Sequence, residues 1–343
     1  MNKLWFHLDG WELDIDKKVE AIKEALLVSP DIFFSIYTNE SNRVKNEIDR
    51  IVPIWFMDRV NIFQDTTKNT PLKSMFSLLK EGEISMWLSA DDTALIWKNA
   101  LTLWRVSAGV IPSLCVQSFN TFNSRGEMMF LDAGFDVWKN KSSEQKAKKM
   151  IEDVVMISTY LQKVRWIEKP RVWLLNNGIE NYKWDDLRLK VYSLLEELDY
   201  IEFIWNIEWN KATHNECDVL LADWFLGNIA LKLVEGQNQQ LGWEVSRMIK
   251  ENWLKWLVAG FLLRKELNSI KDSRDPNNFP LGLMLGLKSL VWKIHWSAEK
   301  EWYKNSFLQA NRYIEAEKEY WILSTIWDRI KLFREFHEKN KGA

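Results

Sequence analysis

Glycine is scarce in this chain, with 13 in 343 residues, well under the usual share of about 7%. Cysteine is scarcer still: Cys115 and Cys217 stand alone in no paired spacing, which excludes a disulfide framework and a cysteine zinc site and makes a cytosolic protein the default expectation. The four histidines, His7, His214, His295 and His337, are scattered without ligand spacing, so no metal is expected. GxGxxG, P-loop and GxSxG motifs are all missing, and no cofactor is expected. Charge of one sign is also missing. Lys plus Arg number 46 against 48 Asp plus Glu, so no global field points to nucleic acid, although a local basic site remains open. No apolar run approaches the ~20 residues of a membrane span, and MNKLWFHLDG has no signal-peptide pattern. The expectation is a soluble or peripheral protein.

What is present in excess is tryptophan, 21 residues, more than glycine. The apolar pattern is otherwise orderly. Strand-length segments run over Ile32–Tyr37, Val60–Phe63, Ile84–Leu88, Pro112–Val116, Met128–Leu131, Val172–Leu175, Ile201–Ile204 and Val219–Leu221. Helical patterns lie between them, over Val19–Leu27, Leu72–Leu79, Thr93–Val106, Ser143–Lys163, Asp185–Leu198 and Asn228–Glu235. Such alternation predicts an α/β fold, three-layer α/β/α, with a mostly parallel sheet. Size allows one large domain or two smaller ones, and the reading adopted is one domain over 1–343. A run near 281–294, LGLMLGLKSLVWKI, reads as strand, a long helical region follows from Ala298 onward, and its extension beyond the domain is set from about 310. An amphipathic insertion occupies about 240–278. Its apolar 253–263 segment fits either packing on the body or a dimer partner, or a helix lying on a membrane surface.

Four segments follow predicted strands: SADDT (89–93), LDAG (131–134), LLNNGIENYK (174–183) and LADWFLGN (221–228). In an open α/β sheet ligands bind beyond the carboxyl ends of strands, so the four loops are expected to converge. In CDVLLADWFLGNIALK (217–232) the chain reads as strand, then a turn through Asp223 and Trp224, then a helix opening at Gly227-Asn228. Unpaired amides at such a junction suit an anion.

Taken in order, these segments resemble the phosphate acyltransferases of bacterial phospholipid synthesis. GEISMWLSADDTAL (82–95) is similar to GEADxxVSAGNTGAL, LDAGFDV (131–137) to LDVGANV, and WIEKPRVWLLNNGIENYKW (166–184) to GIERPRVGLLNIGTEExKG. EFIWNIEWNK (202–211) resembles NFIGNVEGRD, CDVLLADWFLGNIALK resembles ADVVVCDGFTGNVVLK, and IHWSAEKEWYKNSF (294–307) resembles AHGSSDAKAIKNAI. The resemblance covers nearly the whole chain and implies an isocitrate/isopropylmalate-dehydrogenase-like fold.

It also implies the reaction. Phosphate attacks the thioester of acyl carrier protein, a tetrahedral oxyanion forms and the thiol leaves, giving acyl phosphate. Positioning and electrostatic donors suffice for this. By resemblance Lys183 and Asn228 are the catalytic candidates, Lys183 for phosphate or oxyanion contact and Asn228 as an amide donor. The alternatives are a solvated surface lysine and a helix N-cap. Ser89, Asp92, Thr93, Asn176, Gly178, Asp223, Gly227 and His295 are the substrate-binding candidates. Among these, Asp223 would orient its loop, Gly227 would let backbone approach ligand, Asn176 and Gly178 would act by position, Thr93 would donate or merely cap, and His295 would serve as a core or hinge residue. Implied partners are acyl carrier protein, inorganic phosphate and a second copy in a homodimer, with peripheral membrane contact through 253–263 on the inner face and no nucleic acid. A coenzyme A-using phosphotransacetylase-like enzyme and a non-catalytic membrane-associated relative are the alternatives.

Departures from the family pattern are of two kinds. Asp91 and Asp92 replace Gly and Asn of SAGNTG, and the amino-terminal DAMGGDHAP is eroded, with His7 and Glu12 in place of its two Asp. An unpaired carboxylate about 5 Å from one phosphate charge costs roughly 3 kcal/mol at an effective dielectric near 20. The second kind runs one way. Trp11, Trp104, Trp166, Trp173, Trp184, Trp205, Trp209, Trp224 and Trp296 stand where the pattern has glycine, as expected if UGA codons meaning glycine were written as tryptophan. Overpacking at such positions is expected to cost roughly 1–3 kcal/mol each.

Overall fold

The computed structural model describes residues 2–9, 13–64, 71–84, 86–90, 93–119, 127–132, 141–178, 180–212, 216–252, 262, 265, 281–294 and 298–340. Their strands are β1 (Asn2–His7), β2 (Ile32–Thr38), β3 (Val60–Gln64), β4 (Met86–Ser89), β5 (Ser113–Phe119), β6 (Glu127–Leu131), β7 (Arg171–Leu175), β8 (Glu202–Ile207), β9 (Val219–Leu221), β10 (Leu281–Leu285) and β11 (Leu290–Ile294). Their helices are α1 (Ile15–Val28), α2 (Ser41–Ile51), α3 (Pro71–Glu81), α4 (Thr93–Ala100), α5 (Ser143–Val164), α6 (Asp186–Glu196), α7 (Trp209–Ala212), α8 (Trp224–Glu251), α9 (Lys300–Tyr320) and α10 (Ile322–Asn340).

The strands form one sheet in the order β3-β2-β1-β4-β11-β10-β5-β6-β9-β7-β8. It is mostly parallel: only the pairs β11/β10, β10/β5 and β5/β6 are antiparallel. Both faces are covered, which is why its strands read as near-continuous apolar runs. In β4, Met86 and Leu88 enter the main core with α1, α5 and α9, while Trp87 points into a second core with α3 and α4. A third cluster sets Met128, Phe130 and Leu220 against Ala212 of α7 and Ala230 of α8. This is the three-layer α/β/α arrangement.

Several elements differ from the sequence reading. The 281–294 run is a hairpin, because Gly286 takes φ +87° and leaves only 2.9 Å between an added Cβ and Val110 Cγ1. Helix α4 stops at Ala100 rather than Val106, where Arg105 donates to the carbonyls of Ala100, Leu101 and Leu103. Strand β1 and helix α2 were not assigned from sequence. The C-terminal helices start at Lys300, close to the expected Ala298, and pack on the core: Phe307 lies edge-on against Phe6 and Phe34 at 5.0 and 4.9 Å. Most of 253–280 lies outside the described residues, as do Trp11, Glu12 and Trp296.

The remaining seven of the nine glycine-position tryptophans do not overpack the core. Trp104, Trp166 and Trp205 are exposed, and Trp173, Trp184, Trp209 and Trp224 are half-buried. Trp173, Trp209 and Trp224 pack against the edges of the core clusters and none of the seven is fully buried, so none has to be fitted inside the core. The cost moves to the backbone at Trp166, whose φ of +58° is a left-handed conformation. Trp321 after α9 shares it, at φ +50°. L-residues pay about 1–2 kcal/mol there.

Candidate active site

The sheet has a reversal point between β7 and β9. The chain steps outward from β7 to β8, then returns to place β9 on the inner side of β7, against β6. Crevices at such points collect ligands. Here the carboxyl ends of β7 and β9 open on a cleft of about 1000 Å³. One wall is Asn176, Asn177 and Lys183 after β7, and a second is Asp185, Asp186, Leu187 and Arg188 at the start of α6. Asp223, Trp224, Phe225 and Leu226 at the start of α8 form a third, and Ser143 and Lys146 of α5 a fourth.

Helix α8 begins at Trp224, three residues before the expected start. Asp223 is its N-cap, with Oδ1 accepting from the amides of Phe225 and Leu226, each at 3.1 Å. An N-cap aspartate needs no glycine beside it, so Trp224 is the first helical residue rather than a turn residue. Asn228 therefore lies inside the helix, half-buried, and does not cap it. Gly227 allows close approach to protein backbone: a Cβ there would sit 2.5 Å from the carbonyl oxygen of Asp132.

A second helix start meets the first. Asp185 caps α6, accepting from the Arg188 amide at 2.8 Å and from Arg188 Nη1 at 2.8 Å, while Arg188 Nη2 donates to Asp223 Oδ2. One guanidinium thus bridges the N-cap carboxylates of both helices. These aspartates occupy the amides of Phe225, Leu226 and Arg188, which leaves side-chain cations as the main charge complement for an anion in this cleft.

Lys183 is such a cation. It ends a 3₁₀ turn, Asn181–Lys183, and pairs with Glu180 Oε2 at 2.8 Å. The Glu180 hydrogen bond holds its ammonium pKa above the ordinary lysine value. It therefore stays charged at neutral pH. Gly178 leaves room for it, since a Cβ there would lie 2.8 Å from Lys183 Cδ. Asn176 is buried and spends its side chain on neighbours, donating to Asn206 Oδ1 at 2.9 Å and accepting from the Asn177 amide at 2.9 Å.

Three of the four motif loops meet in this half of the sheet. The fourth does not join them along the strand order: Ser89 is fully buried at the end of β4, beside His7 of β1, with β11, β10 and β5 between it and β6. Thr93 opens α4 in the same half. Asp91, Asp92 and His295 lie outside the described residues. Of the substrate-binding and catalytic candidates, Lys183, Asn176 and Asp223 line the cleft, whereas Gly178, Gly227 and Asn228 stand directly behind it in sequence. Both thiols, Cys115 and Cys217, are buried, and desolvation pushes each well above the ordinary cysteine value, so neither is a ready nucleophile.

A family profile described as fatty acid synthesis protein matches residues 57–319. The chain belongs to this family. Curated relatives named phosphate acyltransferase include one from Streptococcus mutans serotype c, 30% identical over 291 residues, covering 82% of this chain and 85% of that protein. Another, from Pediococcus pentosaceus, is 27% identical over 308 residues and covers 87% of each chain. Among solved structures, a branched-chain phosphotransacylase from Enterococcus faecalis aligns over 92% of this chain and 100% of that one, with TM-score 0.55 and 15% identity. The EutD phosphotransacetylase from Staphylococcus aureus gives TM-score 0.52 and 12% identity over 90% and 94%. These two share the fold. As a member of the phosphate acyltransferase family, the chain is an acyltransferase.

In this acyltransferase two cleft cations escaped the sequence reading. Arg188 follows the N-cap Asp185 by three residues, and that Asp-x-x-Arg spacing was the available signal. Lys146 sits in the first turn of α5, where a capping box joins Ser142 and Gln145. The S-x-x-Q pattern was legible, but not the cleft that the turn faces.

Proposed function

We propose that this chain moves an acyl group from acyl carrier protein to inorganic phosphate at the cleft beyond β7 and β9. The observation that carries the reading is the meeting of Lys146, Lys183 and Arg188, from three separate elements, around one cleft at the reversal point. The cleft is of the size that holds a small anion and a thioester together, at the upper end of the usual ~300–1,000 Å³. Phosphate sits against Lys183, and one of its oxygens attacks the thioester carbonyl carbon. The C–O bond forms, negative charge collects on the carbonyl oxygen, and the C–S bond then breaks to release the carrier thiolate. No side-chain nucleophile is needed. Asn228 enters as a second oxyanion donor from the turn of α8 that follows the Trp224 wall.

The test is acyl phosphate formation by the full chain with acyl carrier protein or coenzyme A thioester as donor. Turnover with acyl carrier protein, and at least about tenfold less with coenzyme A, supports the reading. The reverse preference replaces the donor, and no turnover with either leaves the non-catalytic relative. Asn228→Ala is expected to lower kcat without moving the phosphate KM.

The same reading includes a homodimer and a peripheral membrane contact through 253–263. Support comes from the far half of α8, which leads toward that segment with Leu241, Trp243 and Met248 exposed. Light scattering on the purified chain, and flotation with anionic vesicles, test the two separately. No helix among the described residues is long and apolar enough to cross a membrane.

A further inference from the structure

Behind the cleft wall lies a charged cluster that acyl transfer does not use directly. The Lys149 ammonium, on α5, donates to Asp132 Oδ2 and, at 2.7 Å, to Asp153 Oδ2. Asp153 Oδ1 accepts from Ser113 Oγ at 2.8 Å. All three charged side chains are closed off from water, at 2% exposure or less. Desolvating such a group is costly, and well-packed apolar residues of the same volume would often stabilise the core as well or better. Stability alone is therefore a poor reason for the cluster to be there.

Asp132 supplies a better one. Its φ of +56° is a left-handed conformation, which a non-glycine residue holds only when its surroundings enforce it. Its carbonyl oxygen meets α8 at Gly227, where even a Cβ would come within 2.5 Å. The end of β6 and the first turn of α8 thus touch backbone to backbone. The Gly227 amide donates to the Asp223 carbonyl at 2.8 Å, so this contact bears on the turn that carries the Asp223 cap and leads to Asn228.

We propose that Lys149 is a positioning residue for acyl transfer: it clamps Asp132 in its left-handed conformation, which seats Gly227 and fixes the turn of α8 carrying Asp223 and Asn228. The inference rests on the cleft being the site of the reaction. Lys149→Met and Gly227→Ala attack the contact from its two sides, and Asp153→Asn removes a buried charge while leaving the Lys149–Asp132 pair. Amide hydrogen exchange and steady-state kinetics are measured on the full chain for all three.

Lys149→Met and Gly227→Ala are expected to speed exchange over residues 222–232 but not over the distant strand β2. Both should lower kcat by about a hundredfold, as misplacement by an ångström does, with the phosphate KM within about threefold because the cleft cations are untouched. Asp153→Asn is expected to do neither. If Lys149→Met does not fold, Gly227→Ala decides. Unchanged exchange over 222–232, or acceleration spread equally over β2, overturns the clamp. Faster exchange with unchanged kcat overturns the positioning role. A wild-type chain inactive with every donor overturns the acyl-transfer reading instead, and the exchange arm still reports on the clamp.

Discussion

The strand order of the sheet reverses at β1 and β4 and again at β7 and β9, and these two ends are closed in different ways. At the first, Asp9 accepts from Thr38 Oγ1 and from the Asn39 amide, and lies 3.8 Å from His7 Nε2. A carboxylate is held there largely by neutral donors. At the second, carboxylates are matched by cations that each join a partner on their own helix to one on another element: Arg188 spans Asp185 and Asp223, and Lys149 spans Asp153 and Asp132. The difference teaches where a dianion can go. Among the described residues, it is the second end that brings cations to an open cleft whose cap carboxylates are already paired, and Lys183 lines that cleft.

Breaking the bridge at the second end should have the largest effect. Arg188→Met leaves the Asp185 and Asp223 carboxylates unpaired toward the phosphate, and kcat/KM is expected to fall by about a hundredfold or more in a steady-state assay. A loss below about threefold would mean that the bridge does not serve the site.

Acidity sharpens the comparison next. Burial pushes Asp153 up to about 7, with Asp132 adding to the shift and Lys149 and Ser113 opposing it. The folded-state value lies above the ordinary 3.8, so the contribution to stability is full below that value and is lost as pH rises through about 7. Thermal unfolding between about pH 5 and about pH 8 should show the wild type losing stability relative to Asp153→Asn as pH rises. Parallel curves would remove the buried acid from the account.

The backbone offers a smaller contrast. Asp132 keeps its left-handed conformation inside a buried ion pair, whereas Trp321 keeps the same conformation at an exposed helix junction. Glycine is the residue suited to that position. Trp321→Gly is expected to stabilise the chain by about 1 kcal/mol in denaturant unfolding. We also propose UGA codons, read as glycine, at the nine glycine-position tryptophans; UGG at those positions would end that idea. The smallest effect is expected at the first sheet end, where Ser89→Ala should change turnover by less than about threefold. A loss of about tenfold would bring the SADDT loop into the reaction.

Much of the architecture was legible because it depends on local pattern. The alternation of apolar strands and amphipathic helices located β2 through β9 and announced a mostly parallel sheet. What escaped depends on contacts between distant residues. Strand β1 hides because Leu4 and Phe6 face one core and Trp5 the other, which erases the period. The start of α8 is hidden because Gly227-Asn228 carries the stronger turn signal in the sequence, while the Asp223 cap shows itself only in the bonds it accepts from Phe225 and Leu226. Lys183 was found by resemblance, but Arg188 acquires meaning only through Asp223, 35 positions away, and Lys149 only through Asp132. Ordinary lysines and arginines look alike until the fold brings their partners.

The central claim is that phosphate is held by side-chain cations at the β7/β9 cleft. The phosphate KM of Lys183→Met, with acyl carrier protein thioester as donor, tests it most directly. A rise of about tenfold or more, with kcat lowered less, is the predicted result. An unchanged phosphate KM would contradict the account and move the anion away from this cleft.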